Sequence, residues 1–361
     1  MPRIVTFGEI MLRAAPPGQL RLQQTLPGTL EFTFAGAEAN VAASLAMLHQ
    51  NVSFVTALPD TPTTEACLCH LRGLGVQVSH IRILDRGRFG LYFVENGANQ
   101  RPPRVTYDRE YSSISMARPE EFPWEQIFAD AEWLHLTSIT AALSESAARL
   151  TLAAIEHALR AGVRISCDVN FRSRLWKWRP STEPRDLAAE LLRQIIPSVT
   201  LLSASAEDCQ LVGINLTRPN SDHPDAQADF CRQLAETVTR QFPNVQYFST
   251  TLRQAISASH NNWGGMLFET STGTSVFSPL QNQQWHPYPI QNIVDRVGAG
   301  DAFAAGLLYG LTHSDFDLQR TIDFATAASC LAHSIVGDFN FSRLSEIEEL
   351  MAGNTSGRVV R

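Results

Sequence analysis

The stretch best equipped for chemistry is Asp295-Arg296-Val297-Gly298-Ala299-Gly300-Asp301-Ala302-Phe303, with Ala304-Ala305-Gly306-Leu307-Leu308-Tyr309 behind it. It reads as a tight glycine turn opening an apolar helix of small residues. Gly298 and Gly300 carry no Cβ, so the backbone can turn sharply there and approach a ligand closely. The amides of residues 298–301 are then the unpaired donors of a helix N-terminus, where the helix dipole favours negative charge. A phosphate suits that cradle. A carboxylate at Asp301 would repel the phosphate unless it had another task, and taking the proton of an alcohol that attacks the phosphate is such a task. Aspartate also serves as a plain helix cap. A cap alone, however, asks for neither the two flanking glycines nor the small-residue helix.

These residues resemble the Asp-Thr-x-Gly-Ala-Gly-Asp-x-Phe pattern of the ribokinase-like (PfkB) sugar kinases, with Arg296 where that family usually has Thr or Ser. The resemblance implies that Asp301 is the catalytic base and that Gly298, Ala299 and Gly300 form the anion hole. It implies ATP and Mg2+ as cofactors. A second motif, Gly36-Ala37-Glu38-Ala39-Asn40, stands earlier in the chain, as in the family, with Ala35 replacing the usual first glycine. Gly36 would give a substrate room against the backbone, and the Asn40 amide both donates to and accepts from hydroxyls.

Arg109 lies in Val105-Thr106-Tyr107-Asp108-Arg109, and Arg172 follows the strand-like run that ends in Asp168-Val169-Asn170-Phe171-Arg172. Ligands of open α/β sheets collect at the ends of such strands. Two arginines from distant segments have little reason to meet on a neutral sugar, but together they can clamp a carboxylate. With Gly-Ala-Glu-x-Asn and Leu175-Trp176, these phrases resemble the branch of 2-keto-3-deoxygluconate kinases along nearly the whole chain. That resemblance implies that Tyr92, Tyr107, Arg109 and Arg172 contact a sugar acid, and that Asp338 lies beside it, although Phe339-Asn340-Phe341 depart from the branch's pattern.

The nucleotide side departs most. The family has a strand leading to Gly-x-x-Gly against ATP; here the region runs Phe248 to Gly265 with no glycine pair before the next strand, and Gly264-Gly265 is the candidate for a displaced turn. Thr251 and Arg253 are candidates for phosphate contacts. The Asn-x-x-Glu motif that the family associates with magnesium and phosphate waters survives only as Ala204-Ser205-Ala206-Glu207. Glu207 and Asp295 are therefore candidates for water-mediated contact to metal or phosphate, with no direct metal ligand. Magnesium keeps several of its waters and needs few protein ligands.

Positioning these groups requires alternating strands and helices, the pattern of a sheet with helices on both faces. Strands are expected at 4–8, 52–57, 133–137, 163–167 and 199–203, and helices at 36–48, 62–75, 147–161, 184–196, 225–241, 317–335 and 343–352; residues 353–361 are expected to fray. Residues 9–34 and 88–111 break the rhythm with prolines, glycines and short β-rich pieces. The resemblance implies one ribokinase-like three-layer α/β/α domain over 1–361. Those two excursions would form a β lid over the sugar and also serve as a homo-oligomer interface, since its outer face otherwise leaves a sheet uncovered.

With 29 Lys and Arg against 36 Asp and Glu, the net charge of −7 and the absence of a basic run argue against a nucleic-acid binder. No apolar window is long enough to span a bilayer, and Met1-Pro2-Arg3 leads straight into Ile4-Val5-Thr6-Phe7, the start expected of a mature cytoplasmic protein. The six cysteines are scattered, without metal-ligand spacing, and are expected to be reduced. Within the kinase class the alternative acceptor is a neutral sugar such as fructose. Outside it, the altered ATP region leaves room for a sugar-acid-binding protein without catalysis. A dinucleotide-dependent oxidoreductase is disfavoured, because no Gly-x-Gly-x-x-Gly follows an early strand.

Overall fold

The structure, a computed structural model, describes residues 3–221 and 223–354. Of the tail expected to fray, residues 355–361 lie outside the described residues. In chain order the strands are β1 (Arg3–Phe7), β2 (Met11–Ala15), β3 (Glu31–Ala35), β4 (Asn51–Val55), β5 (Ala57–Pro59), β6 (Arg82–Leu84), β7 (Gly90–Glu95), β8 (Arg104–Asp108), β9 (Ala131–Thr137), β10 (Arg164–Asp168), β11 (Leu201–Ser203), β12 (Tyr247–Ser257), β13 (His260–Glu269) and β14 (Thr274–Ser278).

Strands β4, β1, β9, β10, β11 and β12 lie side by side and parallel. Strands β13 and β14 extend this sheet antiparallel, and the short strand Tyr288–Gln291 also pairs with β13. A parallel sheet needs cover on both faces, so its strands read as continuous apolar runs; every residue of β1 is buried. One face packs against helices Glu145–Arg160, Pro184–Ile195 and Pro224–Gln241. The other packs against Ala37–Met47, Pro62–Gly73, Ala299–Thr312, Leu318–Ala332 and Leu344–Met351. The result is the three-layer α/β/α arrangement of a ribokinase-like fold.

Local chemistry sets the boundaries. The helix expected from residue 147 begins at Glu145, because the Ser144 side chain accepts a hydrogen bond from Ala147 N at 2.9 Å and caps it. Its buried face carries Ala147, Leu150, Ala154, Ile155 and Ala158 at helical spacing. The strand expected at 52–57 is divided: Asn51–Val55 joins the main sheet, whereas Ala57–Pro59 pairs with β6 in a separate ribbon. The small residues of Ala299–Thr312 have a packing role as well. Gly306 lies directly against Ala325 of the neighbouring helix, where an added Cβ would come within 2.5 Å of its Cα.

The two excursions form a four-stranded sheet in the order β3-β2-β7-β8. Arg13 of β2 and Tyr92 of β7 are paired in register and both are buried. Phe32 of β3 is 58% exposed. The turn after β7 touches the tip of the β12–β13 hairpin: Ala258 N donates to Asn99 O at 2.7 Å, and Asn99 N donates to Ser259 Oγ at 2.9 Å.

Candidate active site

A cavity of about 420 Å³ opens at the carboxyl ends of the parallel strands, between the main sheet and the lid. That is where open α/β sheets place ligands, and the size suits a small molecule. Of the residues singled out in the sequence, Gly36, Asn40, Tyr92, Tyr107, Arg109, Arg172, Asp338, Thr251, Arg253, Gly298, Ala299, Gly300 and Asp301 all line it. Asp295 and Glu207 do not.

Gly298 caps helix Ala299–Thr312 with φ 88°, a left-handed conformation suited to glycine. An added Cβ there would lie 2.1 Å from the Asp338 carbonyl oxygen, so the turn is also fitted closely to its neighbour. Ala302 N is the first amide to close a helical bond, to Gly298 O at 2.9 Å; the amides of 298–301 have no partner among the described residues. An anion can therefore be met by several preorganised donors.

Asp301 sits in the first turn of that helix, 8% exposed, and accepts a hydrogen bond from Asn40 Nδ2 at 2.6 Å. The other end of the same amide, Oδ1, accepts from Gly36 N at 3.1 Å. Asn40 was expected to address the substrate's hydroxyls; here its amide ties the start of helix Ala37–Met47 to the carboxylate. Gly36 has φ 155°, and a Cβ at this position would collide with Glu9 O. Burial raises the Asp301 pKa to about 7, with Asn40 and Arg172 pulling it down and Asp338 pushing it up. A carboxyl group poised near neutrality suits general-base catalysis.

Two more buried acids line the cavity. Glu38, raised to about 7 mainly by burial, accepts from Thr137 N at 3.1 Å, Thr137 Oγ1 at 2.7 Å and Thr140 Oγ1 at 3.3 Å. Asp168, at the end of β10, is raised to about 8 by burial and then by Asp208 and Asp301. The sequence reading quoted both within motifs without giving either a role. Their signal was a carboxylate set among residues too apolar to leave it in water.

Arg13 was also missed. It is 2% exposed, and its Nη1 donates to Asp338 Oδ1 at 2.6 Å while Nη2 pairs with Asp295 Oδ2. Tyr92 OH donates to the other Asp338 oxygen at 2.7 Å. Asp295 Oδ1 in turn accepts from Arg296 N at 2.8 Å and Val297 N at 3.2 Å, which fixes the approach to the glycine turn. The carboxylate expected to meet phosphate or metal water is therefore consumed inside the protein. Burial alone would lower the Arg13 pKa, but Asp338 and Asp295 more than offset that and raise it. Burial raises the pKa of Asp338, against the opposing pull of Arg13 and Tyr92.

The arginine clamp is also modified. Arg109 Nε donates to Glu9 Oε2 at 2.7 Å, and Nη2 bonds the same oxygen. Its guanidinium lies 5.3 Å from the centre of the Tyr107 ring. Arg172 is exposed at the cavity and makes one hydrogen bond, to Phe171 O at 3.4 Å. The two cations do reach one cavity; among the described residues Arg109 is ion-paired with Glu9, whereas Arg172 forms no ion pair but acts on Asp301 and Asp168, lowering their pKa.

On the hairpin side, Gly264-Gly265 forms no turn. Both glycines lie within β13, where Gly265 gives room to the Phe303 ring and Gly264 to Trp285. The reversal falls instead at Ala258-Ser259, between strands long enough to carry it out to the lid. Glu207 is exposed in the short helix Ala206–Cys209 and faces Arg218 at 3.5 Å, away from the cavity. Among the described residues no group of three or more His, Cys, Asp or Glu could hold a metal ion, and no helix is long and apolar enough to cross a membrane. All six cysteines are free.

Open amides that can hold an anion, beside a buried carboxylate that can take a proton, suit a phosphotransferase with an alcohol as acceptor. The chain belongs to the pfkB family of carbohydrate kinases, whose model matches residues 1–241 and 269–340. It is similar to the crystal structure of 2-dehydro-3-deoxygluconokinase from Thermotoga maritima, with a TM-score of 0.86 and 41% identity over 98% of this chain and 100% of that one. It is 29% identical to 2-dehydro-3-deoxygalactonokinase of Haloferax volcanii, with 98% of each chain covered, and 29% identical to a fructokinase of Klebsiella pneumoniae, with 91% of each covered. The gap between the matched stretches, residues 242–268, takes in β12 and nearly all of β13, where the sequence also departs from the family pattern.

Proposed function

We propose that this kinase transfers the γ-phosphoryl group of ATP to the terminal hydroxyl of a 2-keto-3-deoxy sugar acid, 2-keto-3-deoxygluconate, giving its 6-phosphate. The observation that carries this reading is one cavity lined both by the open amides with Asn40-held Asp301 and by the cation Arg172, with Tyr92, Tyr107 and Arg109 of the lid in the same lining. Asp301 takes the hydroxyl proton as the acceptor oxygen attacks the γ-phosphorus, the bond to the β-phosphate oxygen breaks, and ADP leaves. The 298–301 amides stabilise the charge on the moving group, roughly 3–4 kcal/mol for each well-placed donor. Magnesium bound to the nucleotide phosphates would neutralise their charge, and Asp168, which lines the cavity, would hold one of its waters. The names of two of the relatives above support an acidic acceptor.

In this reading the whole chain, lid included, acts as one kinase domain. The lid keeps water from the phosphoryl group, and its exposed Phe32 supports pairing of two copies through the lid's outer face. The fructokinase relative supports a neutral ketose as the second candidate. A coupled assay across sugar acids and ketoses, run on the wild type and on Arg172→Ala, separates the two. We expect the substitution to raise KM for the acid by about tenfold to a hundredfold, the weight of a charge-assisted contact, and to leave any ketose activity unchanged. Wild-type preference for fructose would overturn the sugar-acid assignment.

A further inference from the structure

One carboxylate lining the cavity has half of its bonding capacity unspent. Glu9 stands where the chain leaves β1 for β2, and Arg109 directly follows β8, so their ion pair joins the first and last lid strands in chain order. Both side chains line the cavity, in company with Gly36, Tyr92 and Tyr107. Glu9 is 3% exposed and Arg109 6%.

The pairing is lopsided. Arg109 Nε and Nη2 both bond Glu9 Oε2, while Oε1 is buried and has no hydrogen-bond partner. An arginine and a carboxylate that only lock two segments together favour the parallel arrangement, one N–H to each oxygen. Here the guanidinium is turned onto a single oxygen, and among the described residues its Nη1 makes no hydrogen bond. Leaving a carboxylate oxygen unpaired in a dry site costs stability, so Oε1 points to a ligand that completes it. The backbone beside it is bare. Gly90 opens β7 opposite Met11, and an added Cβ there would come within 2.9 Å of Glu9 Oε1 and 2.8 Å of Met11 Cγ. Glu9 would repel a carboxylate or a phosphate brought to this place. A hydroxyl fits, because it can donate to Oε1 while it accepts from the guanidinium.

We propose that Glu9 reads a secondary hydroxyl of the acceptor: Oε1 accepts a hydrogen bond from that hydroxyl, and Arg109 Nη1 donates to its oxygen. The inference rests on the kinase reading of the same cavity and deepens it. The Glu9–Arg109 pair is then a neutral reader of hydroxyl position, and the acceptor's carboxylate is left to Arg172. Glu9 selects among hydroxyl patterns, and Arg172 selects for acids.

The test is a cycle between enzyme and substrate, run by steady-state kinetics on the full-length protein. It compares 2-keto-3-deoxygluconate with its 4-deoxy and 5-deoxy analogues, in wild type and in Glu9→Gln. In the variant the amide oxygen keeps the Arg109 bonds and the NH2 group takes the place of Oε1, so an acceptor becomes a donor. For the parent acid kcat/KM should fall by about tenfold to a hundredfold, the weight of a charge-assisted hydrogen bond, chiefly through KM. For one of the two analogues, the one already lacking the hydroxyl that is read, variant and wild type should agree within about twofold. Ratios between substrates on one preparation do not depend on how much of it is folded. Gly90→Ala keeps the ion pair and crowds Oε1, and the same analogue should escape its loss. An equal loss on the parent and both analogues would reduce Glu9 to a strut for Arg109 and overturn the proposal, as would unchanged kinetics for the parent in Glu9→Gln. Wild-type preference for fructose would sink the acid assignment alone. The same cycle on fructose and its deoxy forms then upholds the Glu9 reading if one form escapes the loss, and overturns it if none does.

Discussion

Replacing Arg13 by methionine tests the network beneath the cavity most directly. The substitution keeps a long apolar side chain and removes one guanidinium that serves two buried carboxylates, Asp338 and Asp295, from a position 2% exposed. Removing one partner of a buried pair strands the other charge, at about 3–5 kcal/mol. A chain of 361 residues unfolding as a unit has an unfolding entropy near 0.75 kcal/mol/K, so the melting temperature should fall by roughly 4–7 °C. The loss should be pH-dependent, with a definite sign. The folded Asp338 pKa is already raised by burial, and Arg13 is the largest opposing influence. Without Arg13 it rises further, so the folded state holds a proton that the unfolded state releases above about pH 4, and stability declines as pH increases. Differential scanning calorimetry at pH 5 and pH 8 should show the larger deficit at pH 8. Because Asp295 pins Arg296 N and Val297 N, kcat should fall as well while the KM for ATP changes less. A variant that melts within a degree of wild type at both pH values, with unaltered turnover, would refute the claim that these carboxylates depend on Arg13.

Two further outcomes follow from the buried acids. Asp301→Asn should bind the sugar acid almost as tightly as wild type, by calorimetry, yet lose turnover by at least about a hundredfold, the lower end for a positioned general base; wild-type-like turnover would remove Asp301 from the proton transfer. With its pKa near 7, kcat at pH 6 should be about a tenth of its plateau above pH 8. Glu38, Asp168 and Asp301 are all raised in the fold, to about 7, 8 and 7, so each retains a proton above the pH at which the unfolded chain has lost it. The unliganded protein should therefore lose stability as pH rises from about 4 to about 7–8, a trend that thermal melts would read directly.

Local chemistry was legible in the sequence, and long-range pairing was not. The glycine turn, Asp301, the lid excursions and the helix limits rest on residues within a few positions of one another, and the structure has helices starting at Ala37 and Ala299 close to where the glycines put them. Arg13 gave no such signal. Its partners lie 282 and 325 positions away, and in Met-Leu-Arg-Ala-Ala a lone arginine reads as a solvated edge residue. The Glu9–Arg109 pair spans 100 positions and took up a guanidinium that looked free for substrate. Gly264-Gly265 looked like punctuation because glycine usually is; only the packed rings of Phe303 and Trp285 reveal a need for thin backbone inside a strand. Glu207 was carried by its motif position alone, and the side chain faces Arg218 instead.

The contact between the hairpin tip and Asn99 joins the lid to the main sheet. The same few residues hold the Arg296 guanidinium on one side and the lid's β7–β8 turn on the other. A displacement of the lid turn would therefore be passed through Ala258 and Ser259 to the carbonyls that hold the Arg296 guanidinium, by way of a reversal that contains no glycine to absorb it.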